Sequence, residues 1–167
     1  MQSSHLCYTE DTKKKKEESE MKLLETAQKY YKEQNYNCAE CILHACNEVY
    51  GLNLDEEHMR MMAVFGGGMY VGSTCGALVG CACALGKMVT KDRAHLETDT
   101  VPPAIRLLYR NFNQTLNGTQ CTQLKVQHHH PEERCWKTVS LACEAMDKTV
   151  QELSEKGIIH EQYTRNI

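Results

Sequence analysis

The sequence predicts an all-α fold, a single compact domain of roughly six helices around a Gly-rich central loop and helix. Three observations predict it. Apolar residues recur three and four apart along most of the chain. No run alternates with period two for long enough to make a strand. Helix punctuation brackets the periodic stretches, with Asn or Asp before them, Gly after them and Pro in first turns. At 167 residues the chain has the length of one domain with one real core.

The elements follow in order. Residues 1–20 read as a charged arm, in which Lys13–Lys16 are offset by Glu17, Glu18 and Glu20. A helical domain is expected over 21–157 and a tail over 158–167. Leu23, Leu24, Ala27, Tyr30 and Tyr31 share a helical face, so a first helix runs to about Gln34. Asn37 is a good N-cap for a helix from Cys38 to Tyr50, and Gly51 is its stop. Asp55 caps a helix that contains Met59, Met62 and Phe65 and ends at Gly66-Gly67-Gly68. Ser73 or Thr74 starts the next, which reaches about Val89. Residues 91–101 are a polar link. Pro102 and Pro103 sit in the first turn of a helix through Leu116. Thr119 caps a short helix over 120–125, and His128-His129-His130 forms a loop. Pro131-Glu132-Glu133 opens the last long helix, which Gly157 ends.

Composition excludes several classes. Hydrophobic residues make up 41% and charged residues 25%, an ordinary globular balance. A net charge of -3 offers no basic surplus for nucleic acid. Arg60 and Lys87 bracket an uncharged stretch long enough to span a membrane, but its glycines and sparse large apolar side chains predict a buried segment instead. Gly68, Gly72, Gly76 and Gly80 are each four apart and Ala84 continues the series. In a helix such a ridge admits a second backbone, inside the chain or across a homodimer axis, or it admits a ligand.

The unusual count is cysteine, 10 residues, beside 8 His and 8 Met. No secretory signal follows the N-terminus, which predicts a cytoplasmic chain whose thiols stay reduced and serve metal, cluster or redox chemistry. Cys38, Cys75, Cys121 and Cys135 each sit at an expected helix start. Free N–H groups and the positive dipole end there favour a thiolate, the form that binds metal or attacks. Four such thiols can meet only through the fold. Cys38-Ala39-Glu40-Cys41 is also a C-x-x-C, so Cys41 competes as the partner of Cys38 in a dithiol, although no βαβ pattern surrounds it. Cys46, Cys81, Cys83 and Cys143 lie in Ala- and Leu-rich helical runs and read as small core residues. Cys7 lies in the arm. His44 is one turn beyond Cys41, a spare ligand, a proton donor or a plain polar residue. Three adjacent His in a loop form no metal-binding face. The haem attachment pattern C-x-x-C-H, the P-loop and the hydrolase signatures are absent.

These residues resemble the redox-active protein family C_GCAxxG_C_C. The likeness is carried by Asn37-Cys38-Ala39-Glu40, Phe65-Gly66-Gly67-Gly68-Met69, Cys75-Gly76-Ala77-Leu78-Val79-Gly80, Cys121 and Arg134-Cys135 with Val139. It covers roughly residues 22–153. The family label orders Gly before Cys, where this chain orders Cys75 before Gly76. The resemblance implies a small helical protein of anaerobic bacteria or archaea with four shared cysteines, here Cys38, Cys75, Cys121 and Cys135, and a redox role. Some relatives carry selenocysteine, and a related domain occurs in split-Soret cytochromes. Haem is not implied, because its attachment motifs are missing.

Three functions compete. In the first, Cys38, Cys75, Cys121 and Cys135 ligate an iron–sulfur cluster, [2Fe–2S] in the leading version, and exchange electrons with a redox partner protein. In the second, Cys38 attacks a disulfide and Cys41 or Cys75 resolves it. In the third, the chain binds zinc, or no metal, and acts structurally.

Overall fold

In the computed structural model, which describes residues 22–164, helices form wherever the sequence carries both periodicity and a cap. The expectations for residues 1–20, including Cys7, lie outside the described residues. A helical stretch over 22–28 tightens into a π-wound turn, Lys29–Glu33; together they are α1. Asn37 caps α2 (Cys38–Tyr50) as expected. Its side chain accepts the Ala39 and Glu40 N–H groups while Glu40 accepts the Asn37 N–H, and Gly51 closes the helix in the left-handed region. Asp55 caps α3 (Glu56–Arg60), which continues as a 3-10 turn, Met61–Phe65.

The glycine-rich segment departs from the expected pattern. Gly67 and Gly68 have positive φ and end the helical run. Met69 and Tyr70 then follow at φ 57° inside a tight turn, Gly68–Gly72. Gly68 and Gly72 therefore do not belong to a helical ridge. A left-handed residue with a side chain costs about 1–3 kcal/mol, so two in succession must be held by their surroundings. The next helix, α4 (Gly76–Val89), starts after Cys75, later than Ser73 or Thr74. Those two residues are held instead by a bridge in which Thr74 pairs with Gln120.

A 3-10 turn, Ala94–Leu96, interrupts the polar link, and α5 (Val101–Leu116) carries its prolines in the first turn. Gln120, not Thr119, stands at the cap of α6 (Cys121–His128), while the Thr119 hydroxyl pairs with Tyr109 Oη at 3.0 Å. Pro131 does not open the last long helix. His130 and Arg134 exchange two backbone hydrogen bonds, 2.9 and 2.7 Å, which fold Pro131-Glu132-Glu133 into a turn. The helix α7 (Trp136–Glu155) begins after Cys135. Residues 158–164, expected as tail, pack down: His160 N–H bonds to Met88 O at 3.1 Å, and α8 (Glu161–Thr164) buries Tyr163.

The fold is all-α, and among the described residues it has eight α-type helical segments rather than six, with no strand. No helix of the described residues is long and apolar enough to cross a membrane. Helix α4 is central, packed against α2 on one side and against α5 and α7 on the other. Gly76 and Gly80 make the α2 contact. A Cβ on Gly80 would lie 2.7 Å from Ala39 O, and one on Gly76 would lie 2.9 Å from Cys38 Sγ and 3.3 Å from Ala39 Cβ. The two helical members of the expected ridge are thus spent on packing inside the chain.

Candidate functional site

Three helix starts line one small cavity, and a fourth lies beside it. Cys38 is the first residue of α2, and the Asn37 cap also ties it to the later turn Met61–Phe65, because Asn37 Nδ2 donates to Ala63 O at 3.1 Å. Cys75 and Cys121 begin α4 and α6, and two backbone bonds zip these starts together. Cys75 N–H donates to Thr119 O at 2.8 Å and Cys121 N–H to Ser73 O at 2.6 Å. Cys135 precedes α7 and is pinned to α1, its N–H donating to Tyr31 Oη at 2.8 Å. Arg134, at φ 54°, turns back over the Tyr31 ring at 4.5 Å and donates to Tyr31 O and Asn35 Oδ1, each at 2.9 Å. The cavity holds about 240 Å³, and its wall includes Cys38, Cys121, Cys135, Tyr31, Gly67, Lys125, His129 and Arg134. Cys75 is not part of that wall, but it lies within electrostatic reach of Cys38 and Cys121.

Glycines make the room. A Cβ on Gly68 would lie 2.6 Å from Cys121 Cβ, and one on Gly76 would lie 2.9 Å from Cys38 Sγ. Only glycine lets the loop and α4 come this close to the two cysteines.

The electrostatics reverse one expectation. Placement at a helix start predicts thiolates, yet burial wins. It pushes the Cys75 thiol up to about 12, with Cys38 nearby adding to it, while the Ala77 and Leu78 N–H groups pull it part of the way back. Burial also raises Cys121 and Cys135, and Lys125 pulls both downward. These three are therefore neutral thiols at ordinary pH.

The remaining candidates lie elsewhere. Cys41 is buried, and its thiol donates to Ala27 O at 3.2 Å, away from the cavity wall. Cys46, Cys81 and Cys143 are buried as expected, one each on α2, α4 and α7, whereas Cys83 is exposed because it faces away from the α2 contact. His44 is stacked between Tyr30 and Tyr36, with ring centroids 4.9 and 4.4 Å away, and burial lowers its pKa. Of the three consecutive histidines only His129 reaches the wall; His128 Nε2 lies 3.2 Å from Leu116 O. Among the described residues no three His, Cys, Asp or Glu side chains are gathered as a ready-made metal shell. A larger cavity of about 680 Å³, between the Ala94–Leu96 turn and the 157–161 segment, contains no cysteine.

Sequence reasoning missed Tyr31, Lys125 and His129 as parts of the site. Tyr31 sits on the apolar face of α1, so its pattern signals core, and nothing in the spacing shows that its hydroxyl reaches a residue 104 positions away.

A family model described as "Putative redox-active protein (C_GCAxxG_C_C)" matches residues 36–149, a span that contains Cys38, Cys75, Cys121 and Cys135. Neither the curated proteins nor the solved structures contain a match to the chain.

Proposed function

The chain belongs to the C_GCAxxG_C_C family, and from that membership and the geometry of the cavity we propose that Cys38, Cys75, Cys121 and Cys135 hold an iron–sulfur cluster through which the protein exchanges electrons. The observation that supports this reading is that Cys38, Cys121 and Cys135, from three separate helix starts, share one cavity wall with Lys125 and Arg134, while Cys75, at a fourth helix start, lies within electrostatic reach of Cys38 and Cys121.

The donor set fits. Soft sulfur ligands suit iron–sulfur clusters or zinc. A tetrahedral zinc with Zn–S bonds of ~2.3 Å needs its sulfurs ~3.8 Å apart. When bound, the cluster supplies reversible one-electron chemistry.

The chain's own residues supply the setting. The cations of Lys125 and Arg134 offset the negative charge that four thiolates bring. The Ala77 and Leu78 N–H groups donate to the Cys75 sulfur. The Tyr31 hydroxyl, pushed up to about 12 by burial, keeps its proton and fixes the backbone of Cys135. The sealed position of Cys41 counts against a Cys38–Cys41 dithiol.

The test is anaerobic reconstitution with iron and sulfide. Iron and acid-labile sulfide in equal amounts, with visible absorption bleached by dithionite, are expected. Serine at Cys38, Cys75, Cys121 or Cys135 should abolish or shift that absorption, while Cys41→Ser should keep it. A chain that takes up neither iron nor sulfide overturns the reading. Stoichiometric zinc without redox change would favour the structural alternative, and a Cys38–Cys75 disulfide formed under mild oxidation would favour thiol–disulfide exchange.

A further inference from the structure

Beside the cysteine cavity the chain exposes a band of large apolar side chains. Met61 and Val64 are 62% and 61% exposed, Tyr70 and Val71 are 74% and 79%, and Val126 is 89%. Two contacts bring the segments that carry them together. Tyr70 Oη donates to Ala63 O at 3.2 Å, which sets the Tyr70 ring against the turn that carries Met61 and Val64. Gly72 abuts Thr122, which stands one helical turn before Val126 on α6. The same loop reaches the cavity, since Gly67 is in its wall and Gly68 packs on Cys121. The band therefore borders a cavity whose wall is cationic through Lys125 and Arg134.

Two features set this face apart from scattered surface apolar residues. The loop that presents it holds Met69 and Tyr70 in the left-handed region, a conformation that persists only where surrounding structure imposes it and that clusters at functional sites. Its most exposed ring is also anchored by its own hydroxyl, so Tyr70 is presented already ordered, which lowers the entropic cost of docking.

We propose that this face, with Tyr70, Val71 and Val126 as its apolar anchors and Lys125 as its charged rim, docks an acidic electron-carrier protein. The inference rests on the redox centre proposed above. A cluster held by Cys38, Cys75, Cys121 and Cys135 would accept the one electron that the reduced carrier gives up, the carrier being oxidised and the cluster reduced with no bond formed or broken. Size supports a transient partner. A handful of side chains falls short of the ~800 Å² per partner of a stable complex and suits the smaller contacts of electron-transfer pairs. Charge selects the partner. Lys125 is exposed at the edge of the face, and Arg134 shares the cavity wall with it. An acidic carrier turns the same cations into complementary contacts that steer encounter.

The experiment titrates the full-length, metal-free chain with a labelled plant-type ferredoxin as acidic probe and with cytochrome c as cationic probe. Saturable ferredoxin binding is expected at roughly 20 mM salt, weakened at least about tenfold at roughly 200 mM. The double variant Tyr70→Ser with Val71→Ser, and separately Lys125→Glu, should each weaken it about tenfold, with helical circular dichroism unchanged. If the double variant loses helix, Val126→Ser reads the same face. Absence of ferredoxin binding, equal binding by the variants, tighter binding of cytochrome c, or a wild-type dimer that the double variant dissolves would each overturn the proposal. Because binding is read without metal, a failure to take up iron would count against the cluster and leave this measurement intact.

Discussion

At Tyr31 a single hydroxyl separates a core residue from a site residue. Its ring is buried under Arg134, as its place on the apolar face of α1 leads one to expect, while its oxygen accepts the N–H of Cys135. Tyr31→Phe keeps the ring and the stacking but leaves that N–H without its partner. The expected cost is about 1–3 kcal/mol of stability in chemical denaturation. It should come with a changed absorption or potential of the reconstituted centre, which a merely structural role would not move. An unchanged stability and spectrum would remove Tyr31 from the site. Asn37 shows the opposite case. Its role as an N-cap was legible from its neighbours alone, because capping acts within three residues. What joins Cys135 to Tyr31, or Asn37 to Ala63, acts across the fold and leaves no local trace.

At the scale of elements, the legible helices are those where periodicity and caps agree, as in α2 and α5. The misreadings fall where tertiary contacts claim the capping residues. Thr74 and Gln120 bridge two helix starts, and His130 and Arg134 close a turn around Pro131, so α4 and α7 begin later than the local signals suggest. The glycines of α4 divide by what they face, and this yields a paired prediction. Gly76→Ala places a Cβ 2.6 Å from Phe65 O and 2.9 Å from Cys38 Sγ. Overpacking of that kind costs about 1–3 kcal/mol, more than the up to ~1 kcal/mol that alanine adds to a helix. Gly86→Ala meets nothing within 4 Å, so it should stabilise by the propensity term alone. Thermal denaturation of the two variants should move in opposite directions. A Gly76→Ala protein as stable as the parent would mean that α2 and α4 do not cross so closely. The same substitution should also disturb the reconstituted centre, because it presses on Cys38.

Across the whole molecule, the cysteine count overstates the chemistry. Four thiols border the cavity or lie beside it, while Cys46, Cys81 and Cys143 fill the region where α2, α4 and α7 meet, next to Tyr50, whose hydroxyl donates to Asp147 at 2.6 Å. The core thiols and His44 together set a pH window for stability. Burial raises Cys46, Cys81 and Cys143 above the ordinary thiol value of 9.0. A group raised on folding contributes stability that is complete below its unfolded value, and this is lost as pH climbs toward the folded one. Above about pH 9, then, the unfolded chain gains by ionising thiols that the fold keeps neutral. His44 acts at the other edge. Burial lowers it from 6.5, against the smaller opposing pull of Glu56 and Glu40. Its contribution is complete above about 6.5 and is lost as pH falls toward the folded value, because the unfolded chain then binds the proton more readily. The denaturant midpoint of the metal-free chain should therefore be flat between about pH 6.5 and about pH 9 and should fall on both sides. Replacing Cys143 with alanine should soften the alkaline fall, at the cost of a small cavity. A midpoint that rises above pH 9 would show that these sulfurs are not sealed in the core, and the division between site thiols and packing thiols would then have to be redrawn.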